Sequence, residues 1–324
     1  MGAALILTIE APMLLLHLSD VDEAAWAAAL AEALAPYPVV RRGDAFDPSE
    51  VRYIYVWKPK PDAFEGLTGL KAILSLGAGV DALLRHPALP EVPIVRFVDE
   101  DLTQRMSDYV VAQVTMHHRL FSRFRADQKA RRWSQLYPPS ASESTVGVMG
   151  LGVLGQDALK RLAALGFTLR GWSRTAKHLD GVELFTGDGE FDAFLSGTDI
   201  LVNLLPLTPE TTGILNYETF RKLRRNRLAG GPVIVNAARG GHQREADIVR
   251  ALGDGTLAAA SLDVFETEPL PPDSPLWDIE TCYITPHVAA ISDLKSGVRY
   301  FSRVIRDHEG GGPLVNVVDR KRGY

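Results

Sequence analysis

Short apolar runs bounded by glycine, proline or aspartate alternate along the chain with longer segments whose apolar residues recur at helical spacing. This alternation predicts β-strands joined by α-helices, and therefore parallel sheets covered on both faces. The predicted strands lie at 53–57, 72–76, 94–95, 145–149, 168–172, 200–203, 233–236, 259–263 and 282–285. We therefore expect an α/β protein throughout.

The most apolar stretch, residues 3–18, is predicted to be a further buried strand. Glu10 and Pro12 interrupt it, and it lacks the basic start and the small-residue cleavage pattern of a signal peptide. Helices are predicted at 20–35, 106–133, 156–165 and 292–308, and the second of these is followed by a proline- and serine-rich linker.

Composition narrows the class of protein. The 324 residues suffice for about two domains, and the 46% hydrophobic and 23% charged fractions are typical of folded globular proteins. A net charge of −5 gives no general attraction to nucleic acid or anionic lipid, so we expect neither partner. The basic run at 221–227 lacks interleaved aromatics and is interpreted as a solvated helix end.

Histidine and cysteine usage adds two expectations. His117 and His118 are adjacent on a predicted helix and point in different directions, so no metal site is predicted. Cys282 is the only cysteine and lies in an apolar run, where an inert buried thiol is expected. A single cysteine agrees with a reducing compartment, and we expect a cytoplasmic protein.

A glycine-rich turn follows one predicted strand and precedes a predicted helix. Gly150, Gly152 and Gly155 form the pattern G-x-G-x-x-G, with Val153 and Leu154 before the last glycine. The first glycine permits a tight turn, the second lets a pyrophosphate approach the backbone, and the third lets helix and strand pack closely. Because the helix N-terminus also offers N–H groups, this context predicts a dinucleotide site rather than a turn without a ligand.

The end of the next strand distinguishes between two dinucleotides. NAD would require an acidic residue there for the adenosine ribose, but the strand ends in Ser173, Arg174 and Thr175, with Lys177 close by. A guanidinium with two hydroxyls suits a 2′-phosphate. NADP(H) is therefore the preferred cofactor, and NAD(H) stays open, with Asp180 reaching the ribose after a bend.

Three successive strand ends carry chemically complementary side chains. Arg239, Glu268 and His287 follow the last three predicted strands, at the sheet edge where open α/β folds bind ligands. A guanidinium can clamp a substrate carboxylate, an imidazolium can supply a proton, and a carboxylate keeps that imidazole protonated. Together they predict carbonyl reduction by hydride transfer, although each alone has a plain structural interpretation.

Short motifs recur in a specific order along the chain. They are LGAGVD at 76–81, GLGVLG at 150–155, WSRT at 172–175, NLLP at 203–206, TPET at 208–211, NAARG at 236–240, LDVF at 262–265, EPLPP at 268–272, SPLW at 274–277, TPHVAA at 285–290 and RGY at 322–324. In this order they resemble the D-2-hydroxyacid dehydrogenase family, and within it the bacterial A-type glyoxylate/hydroxypyruvate reductases. The resemblance covers essentially the whole chain.

The resemblance implies roles for individual residues. The catalytic residues would be Arg239, Glu268 and His287, as above. The nicotinamide side would be lined by Leu205, Pro206, Ala237, Asp263 and Ala289. The substrate would contact Trp57, the backbone N–H groups of Ala78 and Gly79, Met106 and Arg239; for Trp57 the alternative is a core tryptophan. Gly241, His242 and Gln243 replace the apolar residues more usual after Arg-Gly, which leaves fine substrate preference open.

The resemblance also implies two doubly wound parallel-sheet domains. A flavodoxin-like substrate domain would comprise 1–104 and 291–324, and a Rossmann NADP-binding domain would comprise 105–290. The active site would be the cleft between them, closing on binding to expel water. The helix after Met106 resembles an element that pairs subunits, so a homodimer is expected.

These observations favour NADPH-dependent reduction of small 2-oxo acids, glyoxylate to glycolate and hydroxypyruvate to glycerate. One alternative is a reductase of a larger 2-oxo acid such as phenylpyruvate. Another is a dinucleotide-sensing binding protein on the same fold, which need not retain all three polar residues.

Overall fold

The computed structural model describes residues 11–228 and 230–324; residues 3–10 of the predicted first strand lie outside this part. Within the described part, the helices are α1 Glu23–Leu34, α2 Asp81–Leu84, α3 Glu100–His118, α4 Phe121–Lys129, α5 Val153–Ala164, α6 Phe191–Ser196, α7 Tyr217–Arg221, α8 Glu245–Gly253 and α9 Leu294–Glu309. The strands are β1 Met13–Leu18, β2 Val39–Arg41, β3 Val51–Trp57, β4 Ala72–Ser75, β5 Ile94–Arg96, β6 Thr145–Met149, β7 Thr168–Ser173, β8 Glu183–Thr186, β9 Ile200–Asn203, β10 Val233–Asn236, β11 Ala259–Leu262 and β12 Cys282–Ile284.

The chain forms two compact units. Of the described residues, the first contains 11–99 together with Ser292–Tyr324, and the second is Glu100–Ile291. Each is built on its own parallel sheet, so the predicted α/β class with two parallel-sheet domains is confirmed.

The first unit has the strand order β2-β1-β3-β4-β5, which is the flavodoxin-like order. Its central strands read as continuous apolar runs because both faces of the sheet are covered. On one face α9 packs against α1. Gly297 of α9 makes this approach possible, since a Cβ there would clash with the ring of Trp26. The ring of Tyr55 lies 5.5 Å from that of Trp26 and 4.6 Å from that of Phe301.

The second unit has the strand order β12-β11-β10-β9-β6-β7-β8. Counted from its own first strand, this is the Rossmann order 3-2-1-4-5-6 extended by one strand. Strands β6 and β9 are neighbours although β7 and β8 separate them in sequence. The strand order therefore reverses between β6 and β9, where open α/β sheets bind ligands.

The single helix predicted over 106–133 is wrong. The structure has α3 and α4 instead, separated at Leu120, whose φ of 59° is left-handed. No glycine or proline marks this break, so the apolar periodicity alone could not reveal it. The start of α3 at Glu100 was also missed, because its first turn carries Glu100 and Asp101, which favour a helix N-terminus without adding to an apolar pattern.

Strands β2 and β8 were not predicted. Each is one of the two edge strands of its sheet and is only partly buried. They therefore lack the apolar runs that mark the inner strands.

The basic run at 221–227 is not simply a solvated helix end. Arg224 Nε donates to Asp199 Oδ1 at 2.7 Å, and the Asp199 side chain is fully buried. Arg225 donates to the carbonyls of Gly255 and Thr256. These arginines stabilise the amino-terminal edge of the second sheet, because they pair with a buried carboxylate and with backbone oxygens that need partners.

Candidate active site

The three glycines after β6 face different surroundings. Gly150 has a φ of 96°, and a Cβ there would lie 2.6 Å from the carbonyl oxygen of Leu204. At Gly155 a Cβ would clash with the carbonyl oxygen of Gly150, whereas a Cβ at Gly152 would meet nothing within 4 Å. Two of the glycines therefore serve the fold, and only Gly152 faces open space at the start of α5, where Val153 and Leu154 begin the helix.

This arrangement fits a dinucleotide pyrophosphate. The residue at the start of α5 is Gly152, which has no side chain to cap the first N–H groups of the helix. The positive end of the helix and the bare backbone at Gly152 suit an anionic ligand.

The end of β7 presents exposed polar side chains. Ser173 is buried and its hydroxyl donates to the carbonyl of Thr175 at 2.8 Å, which fixes the turn. Arg174, Thr175 and Lys177 are exposed. Asp180 is almost fully exposed and pairs with His178 at 3.3 Å.

Glu268 and His287 are joined by a side-chain hydrogen bond. Oε2 of Glu268 lies 2.7 Å from Nδ1 of His287, and its Oε1 accepts the N–H of Phe265 at 3.0 Å. Partial burial opposes ionisation, but these hydrogen bonds and the positive charges of His287 and Arg239 outweigh it, so the pKa of Glu268 is lowered. His287 is 43% exposed, so it is not a packed core histidine.

Asp263 holds the backbone around His287. Its carboxylate accepts the Thr285 hydroxyl at 2.6 Å and the N–H groups of Val288 and Ala289 at 2.9 and 3.0 Å. Its carbonyl accepts the N–H of His287 at 2.8 Å. His287 has a φ of 56°, a strained conformation for a residue with a side chain, and such strain persists where surrounding contacts enforce it.

Arg239 follows β10 in a tightly held loop. Its Nη1 donates to the carbonyl of Ala238 at 2.8 Å, and its own carbonyl accepts the Asn236 side chain at 3.1 Å. The guanidinium is half-buried and acts on the pKa of Glu268. The structure therefore brings Arg239, Glu268 and His287 to one end of three adjacent strands, β10, β11 and β12.

A buried amide network lies beneath this loop. Asn203 Nδ2 donates to Asn236 Oδ1 at 3.0 Å, and Asn236 Nδ2 donates to Gln243 Oε1 at 2.8 Å. All three side chains are at most 1% exposed. The sequence signal for Asn203 and Asn236 is that each closes an apolar strand run; the prediction gave these two residues no role and noted Gln243 only as a departure from the family pattern.

The residues expected around the nicotinamide follow strands β9, β10, β11 and β12. Leu205, Ala237, Asp263 and Ala289 are buried and Pro206 is half-buried. Met106 is buried on α3, in the same core cluster as Ala237 and Ala289. Within the second unit the predicted cofactor and catalytic residues therefore share the carboxyl edge of one sheet.

The remaining expected substrate contacts lie in the first unit. Trp57 ends β3 and is partly exposed, and its ring covers Gly77, where a Cβ would lie 2.7 Å from Cζ3. Trp57 is thus not a fully buried core residue. Ala78 and Gly79, in the same loop after β4, are half-buried and exposed respectively.

Neither a metal site nor a reactive thiol is apparent in the part of the chain that the structure describes. Across residues 11–228 and 230–324 there is no group of three or more His, Cys, Asp or Glu side chains that could hold a metal ion. Burial raises the pKa of the Cys282 thiol to about 12, which keeps it protonated near neutrality. None of the helices that the structure describes is long and apolar enough to cross a membrane.

Comparison with known proteins identifies the class. Residues 111–289 match the family model described as D-isomer specific 2-hydroxyacid dehydrogenase, NAD binding domain. A glyoxylate/hydroxypyruvate reductase A of Escherichia fergusonii is 41% identical over 309 residues, which is 94% of this chain and 97% of the relative. The chain therefore belongs to the D-isomer specific 2-hydroxyacid dehydrogenase family, and the resemblance found in its motifs is confirmed.

Two solved structures share the whole architecture. The NADPH-dependent glyoxylate/hydroxypyruvate reductase of Sinorhizobium meliloti, in complex with NADP and sulfate, is 47% identical with a TM-score of 0.92, covering 97% of this chain and all of that one. A D-isomer specific 2-hydroxyacid dehydrogenase of Xanthobacter autotrophicus Py2, in complex with NADPH and MES, is 41% identical with a TM-score of 0.91, over 97% and 100% of the two chains.

Proposed function

We propose that this protein catalyses the NADPH-dependent reduction of small 2-oxo acids, with glyoxylate and hydroxypyruvate as the substrates. The observation that carries the proposal is the 2.7 Å pair of Glu268 and His287, with Arg239 acting on the same carboxyl. The pair lies on the sheet edge that also carries the glycine turn after β6. The names of the similar proteins support the substrate class.

The choice of NADP(H) rests on the end of β7. Arg174 and Lys177 place two cations where an NAD enzyme of this fold carries a carboxylate, and a 2′-phosphate pairs well with a guanidinium. The similar structures contain NADP or NADPH. When bound, NADPH supplies the hydride that reduces the keto carbon, and NAD(H) remains a weaker alternative.

His287 is the proposed proton donor. Its Nδ1 is engaged by Glu268, which leaves Nε2 to protonate the substrate oxygen as it gains negative charge. Because the pKa of Glu268 is lowered, its carboxylate stays charged near neutrality and stabilises the imidazolium before the proton is transferred.

Arg239 is the proposed carboxylate ligand. A guanidinium can bind the substrate carboxylate through two hydrogen bonds and polarise the adjacent carbonyl. Trp57, the N–H groups of Ala78 and Gly79, and Met106 remain predicted substrate contacts. The roles of Leu205, Pro206, Ala237, Asp263 and Ala289 along the nicotinamide likewise remain predictions.

A homodimer is proposed together with the activity. Phe121 and Phe124 of α4, and Trp133 and Tyr137 after it, are exposed, Trp133 almost completely. Large apolar side chains exposed close together along the chain are typical of an interaction surface, and the expected partner is a second copy. Gel filtration with light scattering tests this, and a monomeric wild type would contradict it.

A cytoplasmic location remains a prediction.

The activity is tested with the purified protein by following NADPH consumption. Glyoxylate, hydroxypyruvate and phenylpyruvate are compared, each with NADPH and with NADH. We expect the highest kcat/KM with NADPH and one of the two smaller acids. A preference for phenylpyruvate would favour the larger-substrate alternative, and tight NADPH binding without turnover of any acid would favour a dinucleotide sensor.

A further inference from the structure

We propose that Gln243 is a positioning residue that holds the loop carrying Arg239 against the loop carrying Glu268. The inference rests on the function proposed above and deepens it. We call residues 237–245 the arginine loop and residues 263–268 the glutamate loop. A shared anchor between them sets how the guanidinium is placed relative to the Glu268 and His287 pair.

The Gln243 side chain is buried, at 1% exposure, and bonds to both loops. Its Oε1 accepts Asn236 Nδ2 at 2.8 Å, and its Nε2 donates to the carbonyl of Val264 at 3.0 Å and to Glu245 Oε1 at 3.4 Å. Both ends of the amide are therefore satisfied, which a buried amide requires. The amide oxygen binds Asn236, which precedes the arginine loop, and the amide nitrogen binds Val264 in the glutamate loop.

Asn236 links Gln243 to Arg239 through hydrogen bonds. Its Nδ2, which donates to Gln243, also donates to the carbonyl of Arg239 at 3.1 Å, and its Oδ1 accepts the N–H of Ala238 at 3.2 Å. Gln243 thus fixes the orientation of the Asn236 amide. That amide in turn fixes the backbone on both sides of the Ala238–Arg239 peptide.

The two loops are in close contact at two further points. A Cβ on Gly240 would clash with the carbonyl oxygen of Phe265, so the loops touch backbone to backbone there. Glu245 and Glu266 exchange hydrogen bonds, each carboxylate accepting the other residue's N–H, at 3.0 and 2.7 Å. Phe265 also donates its N–H to Glu268. The Gln243 amide connects these contacts between the two loops to Asn236, which holds the backbone at Arg239.

The test is Gln243→Leu, which keeps the volume and removes all three side-chain hydrogen bonds. We expect kcat/KM for glyoxylate to fall about ten- to a hundred-fold, mostly through a higher KM because Arg239 is displaced. The Kd for NADPH should change less than KM for glyoxylate, because the glycine turn and Arg174 lie outside both loops, and only Ala237 and Asp263 of these loops are expected beside the nicotinamide. Thr198→Val is the matched control: it removes a buried hydrogen bond to the carbonyl of Phe194 in α6 of the same unit, outside both loops, and should lower Tm without changing KM.

Gln243→Glu tests the hydrogen bonds of this side chain through their dependence on pH. A protonated glutamic acid can still donate to Val264 and accept from Asn236, whereas the ionised form cannot donate. Burial beside Glu245 favours the protonated form. The activity of Gln243→Glu relative to wild type should therefore rise as the pH is lowered, while that of Gln243→Leu should not.

The outcomes are distinguishable. If wild type reduces glyoxylate while folded Gln243→Leu keeps the wild-type KM and kcat, or loses activity only in parallel with Tm as Thr198→Val does, the positioning role is wrong. If wild type reduces no 2-oxo acid, the proposed function fails, and the role of Gln243 fails with it.

Discussion

Nδ1 of His287 lies 2.7 Å from Oε2 of Glu268, and this contact determines which ring nitrogen can serve a substrate. A histidine bonded through Nδ1 to a carboxylate presents Nε2 as its donor. The carboxylate is itself held by the N–H of Phe265. Glu268, Phe265 and His287 all belong to the second unit, so the fold of that unit orients the imidazole.

Replacing Glu268 with glutamine tests this relationship. Glu268→Gln keeps the shape but removes the charge that stabilises the imidazolium, so kcat should fall about tenfold or more. The alkaline limb of the kcat profile should move to lower pH. Since the pKa of Glu268 is lowered, the pair's own contribution to stability is present above the ordinary carboxyl pKa and is lost as the pH falls through the folded value.

Asp273→Asn is the control for that variant, because it removes an exposed carboxylate from the same segment and should leave the profile unchanged. An unshifted profile for Glu268→Gln would mean that Glu268 does not support the proton donor.

Arg239 and His287 should have separable kinetic effects. Arg239→Ala removes a charge-assisted carboxylate ligand, so KM should rise about ten- to a hundred-fold and kcat should also fall. His287→Ala removes the proton donor, so kcat should fall about 10²- to 10⁴-fold with a smaller change in KM. Steady-state kinetics with glyoxylate measures both. Wild-type turnover by both variants would show that the role assignment is wrong.

Arg174 should determine the preference between the two coenzymes. Arg174→Ala removes the guanidinium proposed to bind the 2′-phosphate, so KM for NADPH should rise about tenfold or more while KM for NADH stays unchanged. Lys321→Ala removes an exposed charge from the first unit and serves as the control. Equal effects of Arg174→Ala on both coenzymes would contradict a 2′-phosphate contact.

The sequence predicts the inner strands and the strand-end chemistry because both leave local signals. Strands β6, β9 and β10 have the predicted bounds, since a strand covered on both faces must be apolar throughout. Arg239, Glu268 and His287 each follow a short predicted strand, so the sheet's parallel geometry brings them to one edge. Edge strands β2 and β8 and the break at Leu120 carry no comparable signal.

The support of the site is harder to predict because it depends on contacts between distant segments. Asn203, Asn236 and Gln243 bond across neighbouring strands and loops. The Asp263 carboxylate follows β11 but accepts hydrogen bonds from Thr285 and from backbone N–H groups that follow β12. A sequence shows that these residues are polar in apolar surroundings, but not which partners satisfy them.

Substitutions at two glycines of the turn should have separate effects, one on NADPH binding and the other on stability. Gly152→Ala places a methyl group in open space, so Tm should stay close to wild type while the pyrophosphate loses its close approach and NADPH binding weakens. Gly155→Ala forces a methyl group against the carbonyl of Gly150 and should destabilise the fold by about 1–3 kcal/mol. Thermal melts and fluorescence titration with NADPH measure the two effects. Unchanged NADPH affinity in Gly152→Ala would exclude a pyrophosphate contact at that glycine.

Protonation of the buried His117, which is not one of the catalytic residues, should destabilise the fold in acid. Its ring is 4% exposed, its Nε2 lies 2.7 Å from Ser261 Oγ, and that hydroxyl donates to Gln113 at 2.6 Å. His117 therefore donates to Ser261 as a neutral ring, and burial lowers its pKa to about 4. In the unfolded chain a histidine titrates near 6.5, so between these values only the unfolded state takes up the proton.

The sign follows from that difference in proton uptake. Stability is fully present above the unfolded pKa and declines as the pH falls from about 6.5 towards about 4, by roughly 3 kcal/mol for this one group. His117→Gln keeps a side-chain donor for Ser261 but cannot be protonated in this range, so its urea-unfolding free energy should depend less on pH than that of wild type. His178→Gln, at a histidine that is 93% exposed, should keep the wild-type slope. If wild type and His117→Gln gave parallel curves of stability against pH, protonation of His117 would not be what weakens the folded state in acid.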